Sequence, residues 1–222
     1  CLKLASDDYS LILHYCKDHQ GIDLLKNELV ETYPTLQFFI FQGDLRSPTF
    51  VEELSRYCLD RYLIVNLVIH NASIFEADNL SSITYNALQE NFSVHLFQPL
   101  LITKWFSKQA SEGQIITILD QAISSNKSNY WSYILSKKSL LDATKMIAIE
   151  LAPKIRVNTI LPGMILPSKH GTPDEFHKAV EQTPLKKAPG MNSILGTIDY
   201  LLSNEWATGQ MIYCDSGEHW NM

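Results

Sequence analysis

Cysteine is scarce in this sequence, and the cysteines that are present are scattered. They form no CxxC pair and stand at Cys1, Cys16, Cys58 and Cys214. The seven histidines show no closely spaced cluster either. Disulfide frameworks and structural zinc sites need paired or clustered ligands of these kinds, so we expect no disulfides and no metal site. Scattered cysteines are typical of reduced thiols, and we predict a cytoplasmic protein.

Three further absences exclude other classes of protein. The chain has no excess of basic residues, and its net charge of -6 at pH 7 gives no reason to expect a nucleic-acid partner. No apolar run approaches the roughly 20 residues that a membrane-spanning helix needs. The first residues lack the basic and apolar segments of a signal peptide. We therefore expect a globular protein, with a single domain over residues 1–222.

Short apolar segments alternate with longer amphipathic segments along the chain. The apolar segments predict strands at Ser10–Tyr15, Leu36–Phe41, Leu63–His70, Gln114–Leu119, Arg156–Leu161 and Gln210–Tyr213. The amphipathic segments predict helices at Gly21–Thr32, Phe50–Asp60, Ile83–Asn91, Val94–Gln109 and Trp131–Leu151, and a helical pair over Pro173–Asn204. This alternation indicates an α/β fold, a doubly wound parallel sheet with helices on both faces. Ligands bind to such sheets beyond the carboxyl ends of the strands.

The longest predicted helix carries two residues that could act together in catalysis. Tyr133 and Lys137 are four positions apart, which places them on one face of a helix, and Asp120 ends a strand upstream. A phenol has a pKa of about 10, which a nearby ammonium group lowers towards neutral pH. Of the ten tyrosines, only Tyr133 has a lysine four residues on. The trio predicts a proton donor, although the pair alone is equally typical of a solvated helix surface.

Five motifs, in this order and at these spacings, together resemble the short-chain dehydrogenase/reductase family. They are His70-Asn71-Ala72-Ser73, Asp120, Tyr133-x-x-x-Lys137, Pro162-Gly163 and Thr208-Gly209-Gln210. The set covers essentially the whole chain and is specific, although each motif alone is not. The resemblance implies a Rossmann-type fold, a nicotinamide cofactor and an oxidoreductase activity.

Within that family the chain is most similar to the pteridine reductase and dihydromonapterin reductase branch. Most relatives carry serine at the position of Asp120, whereas this branch carries aspartate. The segment Asn71–Phe75 resembles the branch's Asn-Ala-Ser followed by an aromatic residue, and His95 stands where most of the family has a catalytic asparagine. The resemblance implies reduction of a dihydropterin, 7,8-dihydromonapterin or, less efficiently, dihydrofolate. A carbonyl or enone reductase and a catalytically silent NADP(H)-binding scaffold stay open as alternatives.

The chain also departs from the family pattern. The family opens with a strand and a glycine-rich turn, Thr-Gly-x-x-x-Gly-x-Gly, which holds the cofactor pyrophosphate. That motif is absent from the sequence, and its absence is the one feature that favours the scaffold alternative. Cys1–Ala5 resembles the end of the first helix, so we expect about twenty residues to precede it. Pro167 replaces a common threonine, and Asp215-Ser216-Gly217 replaces the usual Asp-Gly-Gly.

The resemblance implies a role for individual residues. Tyr133 is the predicted proton donor, Lys137 is expected to bind the nicotinamide ribose and lower the pKa of Tyr133, and Asp120 completes the catalytic set. Substrate contacts are predicted for Ser73, Phe75, Asp120 and Tyr133. Cofactor contacts are predicted for His14, Tyr15, Cys16, Lys17, Asp44, Leu45, Asn71, Ala72, Ser73, Tyr133, Lys137, Pro162, Gly163 and Ile165.

Three positions keep more than one interpretation. An ionised Asp120 can accept hydrogen bonds from ring N–H or amino groups, or relay a proton to Tyr133, or simply cap a turn. Phe75 can stack on a flat heterocycle or belong to the core. His95 can be a hydrogen-bonded core histidine or part of a water relay that reaches Lys137.

Lys17 decides the predicted cofactor. It follows the strand that ends at Tyr15, where an acidic residue binds a ribose 2′-hydroxyl and a basic residue accommodates a 2′-phosphate. We therefore predict NADPH rather than NADH, although Asp18 follows at once. Relatives are usually tetramers built through two long helices, so the resemblance also implies a homotetramer. The loop Ser168–Asp174 is expected to close the substrate pocket.

Overall fold

The structure is a computed structural model that describes residues 1–125, 129–167 and 172–220. Positions 168–171 of the predicted pocket loop lie outside the described residues. The chain divides into two compact units, Cys1–Leu63 and Ile64–Met222. Each unit has its own parallel strands and its own buried core.

The first unit is a βαβα arrangement that follows a short helix. Its elements are α1 (Leu2–Ser6), β1 (Leu11–Tyr15), α2 (His19–Thr32), β2 (Phe38–Gln42) and α3 (Phe50–Leu59). The two strands are parallel, and the register runs from Leu11 opposite Phe38 to Tyr15 opposite Gln42. Helix α2 begins earlier than predicted because the Asp18 carboxylate accepts a hydrogen bond from the Gly21 N–H and caps the first turn.

The second unit is built on four parallel strands in the order β3-β4-β5-β6. The strands are β3 (Leu67–His70), β4 (Gly113–Ile118), β5 (Ile155–Pro162) and β6 (Met211–Cys214). The α-helices are α4 (Tyr85–Phe92), α5 (Gln98–Gln109), α6 (Trp131–Leu151), α7 (Pro173–Gln182) and α8 (Gly190–Ser203). Two 3₁₀ turns, Gln121–Ser124 and Glu218–Trp220, follow β4 and β6.

Helices cover both faces of this four-stranded sheet, as the alternating pattern predicted. On β4, Ile115 packs in a cluster with Phe106 of α5 and Ala148 of α6. Its neighbour Ile116 points to the opposite face and packs in a cluster with Ile194 of α8. Successive side chains of a strand alternate between the two faces of the sheet, so these adjacent isoleucines pack into the apolar clusters on opposite faces.

Two predicted elements differ from the structure by more than two residues at one end. The predicted strand Leu63–His70 begins only at Leu67. The Gln109 side-chain amide donates to the Val65 carbonyl at 2.8 Å, so a side chain takes the place of a strand partner there. The predicted helix over Val94–Gln109 is continuous only from Gln98, because a π-helical turn, Ser93–Phe97, precedes it. No helix in the described part of the chain has both the length and the apolar character needed to cross a bilayer.

Candidate active site

The predicted residues of the second unit gather beyond the carboxyl ends of its strands. Strand β3 leads into Asn71–Ser73, which is exposed, β4 leads to Asp120, and β5 ends at Pro162, just before Gly163. Since β3, β4 and β5 are parallel neighbours, these three strand ends share one edge of the sheet. The sheet therefore brings together segments that are far apart in the sequence.

Tyr133 and Asp120 meet directly. The Tyr133 hydroxyl donates a hydrogen bond to Asp120 Oδ2 at 2.7 Å, and Tyr133 is only 5% exposed. The other carboxylate oxygen, Asp120 Oδ1, accepts from the Ala122 N–H at 2.8 Å and caps the 3₁₀ turn that follows β4. Two interpretations of Asp120 are thus compatible, because one oxygen caps the turn while the other holds the phenol.

The pKa of Tyr133 is raised, which corrects the expectation that Lys137 lowers it. Burial is the largest cause, and the charge of Asp120 and its hydrogen bond add to it, while a hydrogen bond from Ser73 opposes them. The Lys137 ammonium nitrogen lies 5.7 Å from the centre of the Tyr133 ring, whereas Asp120 binds the hydroxyl itself. The adjacent negative charge therefore outweighs the more distant positive one, and Tyr133 is held as a neutral phenol that can donate a proton.

Lys137 is a buried lysine, so the solvated-surface interpretation of the pair is wrong. Its side chain is carried by α6, the residue is 3% exposed, and Nζ donates to the Ile118 carbonyl at 3.0 Å. Burial lowers the pKa of Lys137 to about 8, although the charge of Asp120 acts in the opposite direction. An ammonium group has three N–H donors. One has a backbone acceptor among the described residues, so two are available for the hydroxyl groups of a ligand.

His95 is a hydrogen-bonded core histidine, the first of its two interpretations. It is 1% exposed, and Nε2 accepts from the Ile74 N–H at 3.1 Å. Nδ1 must therefore carry the proton, and it donates to Ser136 Oγ at 2.8 Å. Ser136 donates in turn to the Tyr133 carbonyl at 2.7 Å. Burial and the nearby Lys137 charge lower the pKa of His95 to about 3, so the ring is neutral.

Ser73 links the segment after β3 to Tyr133, the candidate proton donor. Its hydroxyl oxygen lies 3.0 Å from His95 Nε2, and a hydrogen bond from Ser73 lowers the pKa of Tyr133. The motif Asn71–Ser73 was predicted to contact both cofactor and substrate. In the structure its serine contacts the candidate proton donor Tyr133 and the buried His95.

Phe75 is 55% exposed, so it does not belong to the core. Its ring stacks on Tyr130 at 4.1 Å between centroids with 17° between planes. It also meets the edge of Tyr133 at 4.8 Å and 83°. These rings form an aromatic wall beside the Tyr133 hydroxyl, which is a surface suited to a flat heterocycle.

Sequence reasoning missed the residue that anchors this wall. Asp78 accepts hydrogen bonds from the backbone N–H of Ser132 at 3.1 Å and from its hydroxyl, at the first turn of α6. The Asp78 N–H donates to the Asn129 carbonyl at 2.8 Å. An aspartate three residues after Phe75 is a weak sequence signal, because its partners lie far along the chain.

The turn after β5 is tightly enclosed. The Gly163 N–H donates to the Cys214 carbonyl at 2.9 Å. A Cβ atom at Gly163 would lie 2.7 Å from both Asp215 Cα and Glu218 Oε2, so only glycine fits there without a shift. Ile165 packs against the cluster of β4, β5 and α8 side chains, so its side chain serves the core. Sequence reasoning also missed Glu218, for which no motif gave a signal.

In the first unit, the predicted cofactor residues follow β1 and β2. His14 Nε2 lies 2.9 Å from the Gly43 carbonyl, and its ring meets Phe50 edge-on at 5.0 Å. Its side chain is therefore engaged in packing within the unit, and burial lowers the pKa of His14. The Tyr15 hydroxyl lies 2.8 Å from His19 Nδ1, and Lys17 is exposed.

The remaining first-unit residues have structural partners of their own. The Gln42 amide donates to the Cys16 carbonyl at 3.3 Å, and Leu45 is 9% exposed. Arg46 binds Asp44 with an N···O distance of 2.7 Å. Its hydrogen bond is the main cause that lowers the pKa of Asp44.

Comparisons with known proteins agree with the motifs. A family model described as Enoyl-(Acyl carrier protein) reductase matches residues 1–219. Dihydromonapterin reductases of Shigella boydii and Escherichia coli are 27% identical over 157 residues, which is 68% of this chain but only 65% of the length of each relative. The chain thus spans just under two thirds of these curated relatives.

Two solved structures resemble the whole described fold. They are FolM Alternative dihydrofolate reductase 1 from Brucella canis and from Brucella suis, each in complex with NADP. Each has a TM-score of 0.91 and 30% identity and covers 99% of this chain, and this chain matches 87% and 88% of those chains, respectively. The Rossmann-type α/β fold predicted from the sequence is confirmed. The chain belongs to the short-chain dehydrogenase/reductase family.

Proposed function

We propose that this chain is an NADPH-dependent reductase that converts a dihydropterin to its tetrahydro form. The first candidate substrate is 7,8-dihydromonapterin, and dihydrofolate is the second. The observation that carries the proposal is the 2.7 Å hydrogen bond from Tyr133 to Asp120 beside the buried Lys137. The names of the Shigella, Escherichia and Brucella relatives support the substrate class and the cofactor.

The identity of residue 120 favours a pterin over a simple carbonyl compound. A carbonyl oxygen needs hydrogen-bond donors, and an ionised carboxylate is an acceptor only. A pterin ring carries N–H and amino donors, which a carboxylate recognises well. Asp120 Oδ2 accepts a hydrogen bond from the phenol of Tyr133, so the same oxygen is within reach of a ring bound against Tyr133.

The residues at the strand ends fit a nicotinamide cofactor. Among the described residues Lys137 has one hydrogen-bond acceptor, the Ile118 carbonyl, so two of its N–H donors remain for ribose hydroxyls. The cofactor supplies a hydride, which the reduction of a pterin requires at ring C6. Tyr133 donates the proton that ring N5 gains, and the Ser73 hydroxyl and the Lys137 charge stabilise the phenolate that remains. Phe75 stacks on the pterin ring and holds that ring in place.

The test follows NADPH oxidation by the full-length protein with dihydromonapterin, dihydrobiopterin, dihydrofolate and a panel of small ketones. Tyr133→Phe and Asp120→Ser should each lower kcat/KM for the pterin by about a hundredfold or more, the range of lost general acid–base assistance. Tyr62→Phe and Asp142→Ser are matched controls, because Tyr62 is 92% exposed and the Asp142 side chain is 76% exposed.

The panel also separates the alternatives. Turnover of ketones without turnover of any pterin would replace the proposal with the carbonyl-reductase alternative. If NADPH binds and no compound turns over, the protein is a silent cofactor-binding scaffold.

We also propose that the protein works in the cytoplasm as a homotetramer. Exposed apolar side chains on α6 support the assembly, because Met146 is 70% exposed and Ile149 is 82% exposed. Met146→Asp combined with Ile149→Asp should reduce the mass measured by light scattering. An unchanged mass would exclude this face of α6 from the interface.

A further inference from the structure

The C-terminal turn that follows β6 is folded onto the end of β5. Pro162 of β5 pairs with Cys214 of β6, and the Gly163 N–H donates to the Cys214 carbonyl at 2.9 Å. One residue further, Glu218 Oε2 accepts the Met164 N–H at 3.3 Å. The backbone of the turn at Gly163 and Met164 is thus bound from the C-terminal side at two successive N–H groups.

The turn that presents Glu218 is itself rigidly built. Asp215 is 3% exposed, and its carboxylate accepts from the Gly217 N–H at 3.0 Å, from the His219 N–H at 2.8 Å and from His219 Nδ1 at 2.6 Å. Ser216 has φ of 56° and Gly217 has φ of 83°, so two successive residues adopt the left-handed conformation. The usual glycine at position 216 is replaced by serine, which accepts this conformation with some strain.

The same turn is connected to the segment that follows Asp120. The His219 ring stacks on Tyr213 at 3.9 Å, and the Tyr213 hydroxyl lies 2.7 Å from Ser124 Oγ. Burial raises the pKa of Glu218, and the charges of Asp120 and Asp215 raise it further, against the Met164 hydrogen bond. The Glu218 carboxylate therefore lies within the electrostatic field of the catalytic carboxylate.

We propose that Glu218 is a positioning residue that fixes the Gly163–Met164 backbone for the nicotinamide half of the cofactor. The inference rests on the proposed function, because Gly163 is a predicted NADPH contact at the sheet edge that it shares with Asp120, and Lys137 is expected to bind the nicotinamide ribose there. The carboxylate acts through the backbone of residue 164, and the close packing against Gly163 leaves the turn no room to move towards the C-terminal segment. Loss of the carboxylate frees the Met164 N–H and loosens the turn.

The experiment compares two ligands that share the adenosine half. NADPH has the nicotinamide ring, and 2′,5′-ADP lacks it, so a residue that positions the nicotinamide turn affects only the first. Glu218→Ala should weaken NADPH binding by about tenfold, equivalent to the loss of one modest hydrogen bond, and leave 2′,5′-ADP binding unchanged. Glu218→Gln retains an oxygen acceptor for the Met164 N–H and should restore NADPH binding. Glu205→Ala, on an exposed glutamate after α8, is the control.

Calorimetric titration of the full-length protein measures both affinities without any pterin, so the outcome is independent of whether pterins are substrates. Equal weakening of both ligands by Glu218→Ala would show a general loss of structure and overturn the proposal. Unchanged NADPH binding would overturn it too, as would a parent protein that does not bind NADPH. If Glu218→Ala does not fold, Glu218→Asp serves instead, because its shorter side chain cannot reach Met164 and should weaken NADPH alone.

Discussion

Replacement of Ser136 by alanine tests the hydrogen-bonded chain behind the catalytic tyrosine. Ser136 is fully buried, accepts from His95 Nδ1 and donates to the Tyr133 carbonyl. Alanine leaves the buried His95 N–H without an acceptor. If the imidazole changes tautomer instead, the Ile74 N–H loses its acceptor at Nε2, so one buried donor is unsatisfied in either case. The pKa of His95 is about 3, so the ring stays neutral at neutral pH and a change of protonation does not supply the missing hydrogen bond.

The expected cost of Ser136→Ala is about 1–3 kcal/mol of unfolding free energy, the penalty for one unsatisfied buried donor. For a chain of this length, that corresponds to a fall in Tm of about 2–12 °C. Thermal and urea unfolding measure it, and nitrogen NMR of the histidine ring reports the tautomer. Ser139→Ala is the control on the same helix, since Ser139 donates to the Leu135 carbonyl on the exposed side. Equal effects of the two substitutions would refute the buried network.

Three other predictions concern Lys137, Gly163 and Lys17. Burial lowers the pKa of Lys137 to about 8, so its ammonium form is lost as the pH rises through that value. We therefore expect kcat/KM for NADPH to fall above about pH 8. A kcat/KM that stays constant up to about pH 9.5 would contradict this. Gly163→Ala should lower the free energy of unfolding by about 1–3 kcal/mol through overpacking, and it should lower Tm and weaken NADPH binding. An unchanged Tm would show that Glu218 and Asp215 move to make room for the new Cβ atom. Lys17→Ala should raise KM for NADPH with little change in kcat, and equal KM values for NADPH and NADH in the parent would count against a role in 2′-phosphate recognition.

Much of the fold could be predicted because it depends on local pattern. Helix α6 begins and ends where predicted, at Trp131 and Leu151. The i, i+4 spacing placed Tyr133 and Lys137 on one face of that helix. Asp120 was placed at the end of β4 by the apolar strand before it. These three features together give the catalytic edge.

Other parts of the site depend on contacts between distant segments and gave no local signal. Glu218 binds Met164 across 54 positions of sequence, and Asp78 binds Ser132 across the same separation. The π-helical turn that carries His95 was not predicted either, because the amphipathic pattern indicated an ordinary helix from Val94. Such contacts follow from the packing of complete elements, so a pattern confined to one segment cannot predict them.

The sequence identified the residues around Tyr133 but not the direction in which they shift its pKa. Spacing on a helix indicated that Lys137 would act on Tyr133, but spacing cannot rank the effects of two opposite charges. Burial is the largest cause of the raised pKa of Tyr133, and Asp120, which binds the phenol directly, adds its charge and its hydrogen bond, so the proton stays on the phenol oxygen. Under the proposed function, Tyr133 therefore keeps its proton until hydride addition at ring C6 makes N5 basic enough to take it.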